Sequence, residues 1–367
     1  MPRTIFRSSV LAGMVALALL VFGAGSSGAS GSHSAAAAAN AYTVKKLVSD
    51  QPGGAPTMDP HLVNAWGLVA GPSTPWWVAN NGTNTSTLYG GDGSKVPLVV
   101  RVGGAPTGAV FNGGPNFIVS DGTNMGPSLF MFATESGTIR GWNPGVPPPP
   151  PSTRSFTVVN RRNVDAEYKG LAIASTDKGD FLYATDFHNR RVDVFDGQFN
   201  LVNLAGAFTD PGIPRRYAPF GIQNIGGDIF VTYAKVGPTG DDVGGHGHGF
   251  VDQYDASGTL LARVATRGSL DSPWGLAMAP NEFGRFSGDL LVGNFGNGKI
   301  NAYSSSGGSW HRVGKLRSAG GQAVAIDGLW ALEFGNGGAA GPTNSLFFTS
   351  GPNEESHGLF GSITADS

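Results

Sequence analysis

The reading of the fold turns on WGLAMAPNEFGRFSGDLLVGNFGNGKINAY, residues 274 to 303. A glycine between large apolar residues, Trp274-Gly275-Leu276, opens one extended segment. A loop rich in Gly, Pro and Asn leads to a second strand, DLLVGNFG (289–296), and a Gly-Asn-Gly turn leads to a third, KINAYSSSG (299–307). Short apolar runs bounded by turn residues are the signature of β-strands joined by tight connections.

The unit recurs. Equivalent openings are Trp66-Gly67-Leu68, Thr107-Gly108-Ala109, Lys169-Gly170-Leu171, Phe220-Gly221-Ile222 and, less regularly, Asp327-Gly328-Leu329. The matching second strands are WWVANNG (76–82), NFIVSDG (116–122), DFLYATD (180–186), DIFVTYA (228–234) and SLFFTSG (345–351). Third strands such as STLYGGDG (86–93) and FVDQYDASG (250–258) follow, and PLVVRV (97–102) reads as a fourth. Spacings of 41, 62, 51, 54 and 53 residues between opening glycines bracket the roughly 40 to 50 residues of a four-stranded propeller blade. The last unit ends after its third strand, at residues 358–364, and YTVKKLV (42–48) stands as a spare strand ahead of the first opening. The sequence thus predicts an all-β, six-bladed β-propeller with four-stranded blades, one domain over 42–367. The N-terminal strand closes the ring and leaves no free sheet edge. PGVPPPPP (144–151) reads as a stiff polyproline II loop protruding from the second unit.

Residues 1–41 read as a secretory signal peptide and small-residue leader. Arg3 and Arg7 precede the apolar run VLAGMVALALLVF (10–22), and small residues follow, with cleavage sites near Ala24 or at Ala39-Asn40-Ala41. The run is shorter than the roughly 20 residues of a spanning helix, so the chain is expected to be secreted, extracellular or in the cell-wall or periplasmic space, with no transmembrane segment after cleavage. Charged residues make up 14% of the chain, and the formal net charge of −2 becomes −4 once Arg3 and Arg7 are removed. A nucleic-acid partner is therefore not expected. The chain has no Cys, which removes disulfides, thiolate zinc sites and thiol nucleophiles. GNFGNGK (293–299) has P-loop spacing, but Ile300 stands where Ser or Thr is required and a strand follows. No G-x-S-x-G elbow is present.

FLYATDFHNRRVDVFD (181–196) resembles the NHL repeat, and PWGL and PFGI resemble its opening. Across 42–364, phrases such as NAWGL, FATESGTIRGWNPG, APFGIQNIGG, LLVGNFGNGKINAY and HGLFG resemble a family of exported bacterial six-bladed propellers, some of which carry PEP-type C-terminal sorting tails. This chain ends on residues 363–367 without that pattern. More distantly it is similar to the NHL and gluconolactonase-like propellers, which include metal-dependent lactonases and lyases as well as binding modules. The resemblance implies fold and export, and carries no catalytic residues.

Blade geometry places the loops between second and third strands, and those entering each first strand, on one face. Trp66, Phe220 and Trp274 precede opening glycines there, with Asn294 ending a second strand, and are the candidates for ligand contact at the channel mouth. Aromatic faces suit sugars, lipids or aromatic ligands, but plugging of the channel by the same rings is the favoured reading. Lys169 and Thr107 at the same position show that the ring is not wholly apolar. The same face holds Asp186, His188, Asp241, Asp242, His246, His248, Glu354 and His357 as candidate ligands for one divalent metal ion. Asp186 and its neighbour Asn189 match NHL positions and read foremost as turn-stabilising residues. Two functions follow. The first is a secreted, monomeric binding module for a small molecule, glycan or protein. The second is a metal-dependent, lactonase-like hydrolase or lyase using His188 and His357 with Asp186 and Glu354.

Overall fold

The computed structural model describes residues 39–366. The leader expected over 1–41 lies almost wholly outside the described residues. Six sheets follow one another in chain order, with first strands Ala65–Val69, Pro106–Phe111, Tyr168–Thr176, Tyr217–Ile225, Pro273–Met278 and Leu329–Phe334. These innermost strands pack in sequence around the axis, and the last packs against the first. Each blade adds three antiparallel strands outward. The result is a six-bladed β-propeller.

The ring closes as expected. Tyr42–Ser49 pairs antiparallel with Leu359–Ala365, from Tyr42 opposite Ala365 to Ser49 opposite Leu359, and supplies the sixth blade's fourth strand. A two-residue strand, Thr57–Met58, pairs parallel with its end. The apolar core lies mainly between blades. Phe117, Met131 and Tyr168 pack with Leu182 and Phe195 between the second and third blades. Ile300, Leu329, Phe348 and Ile363 do the same between the fifth and sixth.

Register explains the recurrent glycine. Each first strand carries a bulge at its opening, for example between Pro273 and Leu276 and between Pro219 and Ile222, and the bulge turns the glycine toward the next blade. A methyl group at Gly221 would lie 2.1 Å from the Trp274 carbonyl oxygen, and one at Gly275 2.5 Å from that of Trp330. No side chain fits between inner strands this close. Threonines fasten the seams: Thr107 Oγ1 donates to the Tyr168 carbonyl at 2.7 Å, Thr185 Oγ1 to that of Phe220 at 2.7 Å, and Thr349 Oγ1 to that of Trp66.

Three details differ from the sequence reading. In the sixth blade the bulge falls between Leu329 and Leu332, so the opening is Trp330-Ala331-Leu332 and not Asp327-Gly328-Leu329. Gly328 lies before the strand. In the second blade NFIVSDG is not the second strand. Ile118–Ser120 forms a separate hairpin with Met125–Pro127, and Phe130–Thr134 pairs with the first strand. Burial decides this, because Phe130–Thr134 is buried on both faces like Trp76–Asn80 and Leu290–Asn294, whereas Ile118 and Ser120 are exposed. The proline segment forms a closed loop, with the Ser152 amide donating to the Pro144 carbonyl at 2.8 Å.

Two outcomes follow for stability. Gly221→Ala should cost about 1–3 kcal/mol or more, as overpacking does, whereas Ala331→Gly, at the one opening that already accepts a methyl, should cost about 0.5–1 kcal/mol; urea denaturation measures both. Deleting residues 42–49 should bare the edge of Leu359–Ala365 and produce aggregates on size-exclusion chromatography.

Candidate functional site

The six residues at the opening position are Trp66, Thr107, Lys169, Phe220, Trp274 and Trp330, all at most 8% exposed. The aromatic ones cover one another. Trp66 stacks on Trp330 with ring centroids 3.7 Å apart, Phe295 stacks on Trp330 at 3.9 Å, and Trp274 and Phe220 meet Trp330 edge-on at 6.0 and 5.9 Å. Trp330 has both faces occupied. Trp66, Phe220 and Trp274, candidates for ligand contact whose favoured reading is channel plugging, pack as the plug of the channel. Asn294 is also buried, its Nδ2 donating to the Ser269 carbonyl at 2.9 Å. Its Oδ1 and the Trp66 Nε1 are buried without a partner.

Lys169 is the charged member of this ring, and its side chain is 5% exposed. Its Nζ pairs with Glu135 at 2.6 Å and Glu167 at 2.5 Å, and lies 5.5 Å above the Trp66 ring. A chain of polar contacts continues round the mouth. Asn81 Nδ2 donates to Glu135 at 2.8 Å, Asn64 Nδ2 donates to Asn81 Oδ1 at 3.3 Å and to Glu355 at 2.6 Å, and Asn64 Oδ1 accepts from Trp330 Nε1 at 2.9 Å. Four blades contribute.

Electrostatics follow from burial. Desolvation disfavours the Lys169 ammonium, but Glu135 and Glu167 outweigh it and hold the group above the ordinary lysine value. Burial raises the Glu355 carboxyl against the hydrogen bond from Asn64, and burial likewise raises Asp242 against the charge of Lys169. The mouth therefore sets one buried, paired cation near two carboxyl groups, Glu355 and Asp242, that burial holds above the ordinary carboxylate range.

The remaining candidates do not meet. Asp186 is fully buried and accepts from the amides of Asn189 and Glu167, both at 3.2 Å, and from Asn189 Nδ2 at 2.7 Å, so it braces a turn. His188, Asp241, His246 and Glu354 are exposed. His248 donates from Nδ1 to the Val243 carbonyl at 2.9 Å and accepts from Lys235 at Nε2 at 3.2 Å, which ties its glycine-rich loop together. His357 turns toward the outer strand and pairs with Asp50 at 2.9 Å. His188 and His357 thus stand on the third and sixth blades, across the ring from each other. Among the described residues no three His, Asp or Glu side chains are disposed to hold one metal ion, so this donor arrangement does not fit the expected divalent cation. The sequence reading missed Glu135, Glu167, Asn64 and Phe295. The signal was Lys169 itself: a lysine in an otherwise uncharged ring requires counter-charges.

Lys169→Met should leave Glu135 and Glu167 facing a buried gap and destabilise the fold by about 3–5 kcal/mol. Combining Lys169→Met with Glu135→Gln and Glu167→Gln should recover most of that loss, as read by urea denaturation.

No family model matches the chain. Over 348 residues it is 35% identical to uncharacterized protein R648 of Acanthamoeba polyphaga mimivirus, covering 90% of this chain and 82% of that one. The solved structure of the soluble aldose sugar dehydrogenase from Escherichia coli matches with a TM-score of 0.52 at 13% identity, covering 89% of this chain and all of that one. A gluconolactonase from Xanthomonas campestris matches at TM-score 0.38 and 17% identity, over 65% of this chain and 82% of that one. At 13% identity the likeness to the aldose sugar dehydrogenase speaks for the fold alone. The extent and identity of the sequence match go further: the chain belongs to the same family as the mimivirus protein R648.

Proposed function

We propose that the chain is an exported, monomeric binding propeller that takes a neutral or amine-bearing glycan on the rim of its channel mouth. The observation that supports this reading is the Glu135–Lys169–Glu167 array. The ammonium is sealed below, while the two carboxylates keep 29% and 23% of their side-chain surface open. Fixed by Lys169 and Asn81, these acceptors need little further ordering to receive hydroxyl or ammonium donors. Rings already stacked on one another offer no open face, so the ligand meets the polar rim and not the aromatic plug. Export rests on the order of Arg3, Arg7, the apolar run 10–22 and the small residues after it. No helix among the described residues is long and apolar enough to cross a membrane.

A second reading, hydrolase or lyase, draws on Glu355 and Asp242. Both hold a proton more firmly than an ordinary carboxyl beside a fixed cation, as a general acid would. Its chemistry would be acid–base, since the histidines do not converge.

The test is a glycan array probed with the purified protein and with the Lys169→Met, Glu135→Gln, Glu167→Gln triple variant, which removes the buried cation together with its counter-charges and so keeps the fold. Neutral and amino glycans should be retained, acidic ones rejected, and the variant should lose at least about tenfold in affinity. Binding to no glycan, or equal binding by the variant, overturns the proposal. Export is checked separately by N-terminal sequencing of protein recovered outside the cell, which should begin between residues 24 and 42.

A further inference from the structure

The opposite end of the channel holds a second polar feature. Along the sixth blade's first strand, three residues beyond Trp330 and away from the mouth, stands Glu333. The same level on the other first strands is occupied by Val69, Val110, Ala172, Gln223 and Ala277, so Glu333 is the one ionisable side chain of its tier. A recess of about 340 Å³ opens here, walled by Val69, Phe111 and Ile173, with the carboxamides of Gln223 and Asn224 beside the carboxyl. Asn224 is committed elsewhere: its Nδ2 donates to the Ile173 carbonyl at 2.8 Å and its Oδ1 accepts from the Gly227 amide at 3.0 Å. The strands packed against Glu333, namely Ala65–Val69, Pro273–Met278 and Leu346–Ser350, carry no ionisable side chain. Glu333 is half-buried, and desolvation alone pushes its carboxyl up to about 8, with no neighbouring charge contributing.

We propose that this recess binds a small organic monocation of the alkylammonium class, with the Glu333 carboxylate as counter-ion and the side chains of Val69, Phe111 and Ile173 against the alkyl chain. Charge and shape select that class. An anion would meet a carboxyl and no cation. A divalent metal seeks six or more oxygen ligands, whereas this recess offers one carboxyl and one uncommitted carboxamide. A half-buried carboxyl with no counter-charge is costly to ionise until a cation accompanies it. Binding is a proton exchange with no covalent change: the ammonium enters, the Glu333 carboxyl becomes carboxylate, and its proton leaves to solvent.

Isothermal calorimetry tests this on the intact chain with n-butylammonium chloride, in buffers of differing ionisation heat, with n-butanol as the neutral probe of the same shape. Binding at about pH 6.5 should release close to one proton per ligand. Affinity should rise about tenfold per pH unit up to about pH 8 and then level off. Glu333→Gln reproduces the shape of the neutral acid, should therefore keep the fold, and should lose at least about tenfold in affinity together with the proton release. No binding of n-butylammonium, equal binding of n-butanol, or undiminished binding by Glu333→Gln overturns the proposal.

Discussion

The close approach of the innermost strands is the constraint on which the rest of this molecule depends. At the bulge of each first strand the backbone comes so near the next blade that only hydrogen is tolerated at most positions, as between Gly221 and the Trp274 carbonyl. That spacing brings six first strands round one axis and sets the width of the channel. It also places six side chains, from Trp66 to Trp330, where they must meet. Large rings there have nowhere to go but onto each other, and the stack of Trp66, Trp330 and Phe295 is the consequence. The channel is a core, in the sense that its apolar surface is removed from water by its own members.

A lysine in that ring changes the chemistry of the mouth. Burying Lys169 is tolerable only with counter-charges in contact, and the neighbouring loops supply them as Glu135 and Glu167. Once fixed, those carboxylates orient Asn81, which touches Asn64, which in turn holds Glu355 and Trp330. A local need for charge compensation thereby organises a polar rim spanning four blades. The two ends of the channel are built oppositely. One holds a fully compensated cation, and the other a carboxyl with no compensation at all.

The architecture was legible because repetition of a glycine-opened unit is written in one dimension. Ring closure was legible too, since a spare strand at 42–48 and a missing fourth strand after residue 364 complete each other. The errors have a common physical origin. NFIVSDG and FMFAT are both apolar and strand-like, and only burial on both faces singles out Phe130–Thr134. Gly328 looks like an opening glycine, but the pairing of Leu332 with Phe348 moves the opening to Ala331. Histidines and carboxylates at equivalent loop positions share a face without sharing a point. His188 and His357 fall on opposite blades, while Asp186 and His248 spend their polar atoms on their own loops.

By itself, then, the sequence determined the strand unit, its sixfold recurrence and the face on which polar loop residues gather, because these follow from local periodicity and turn chemistry. Tertiary structure alone decided which of those residues touch. A contact such as that of Lys169 with Glu135 joins side chains 34 residues apart, and the direction in which each loop folds back is set by packing between blades, which no local pattern encodes.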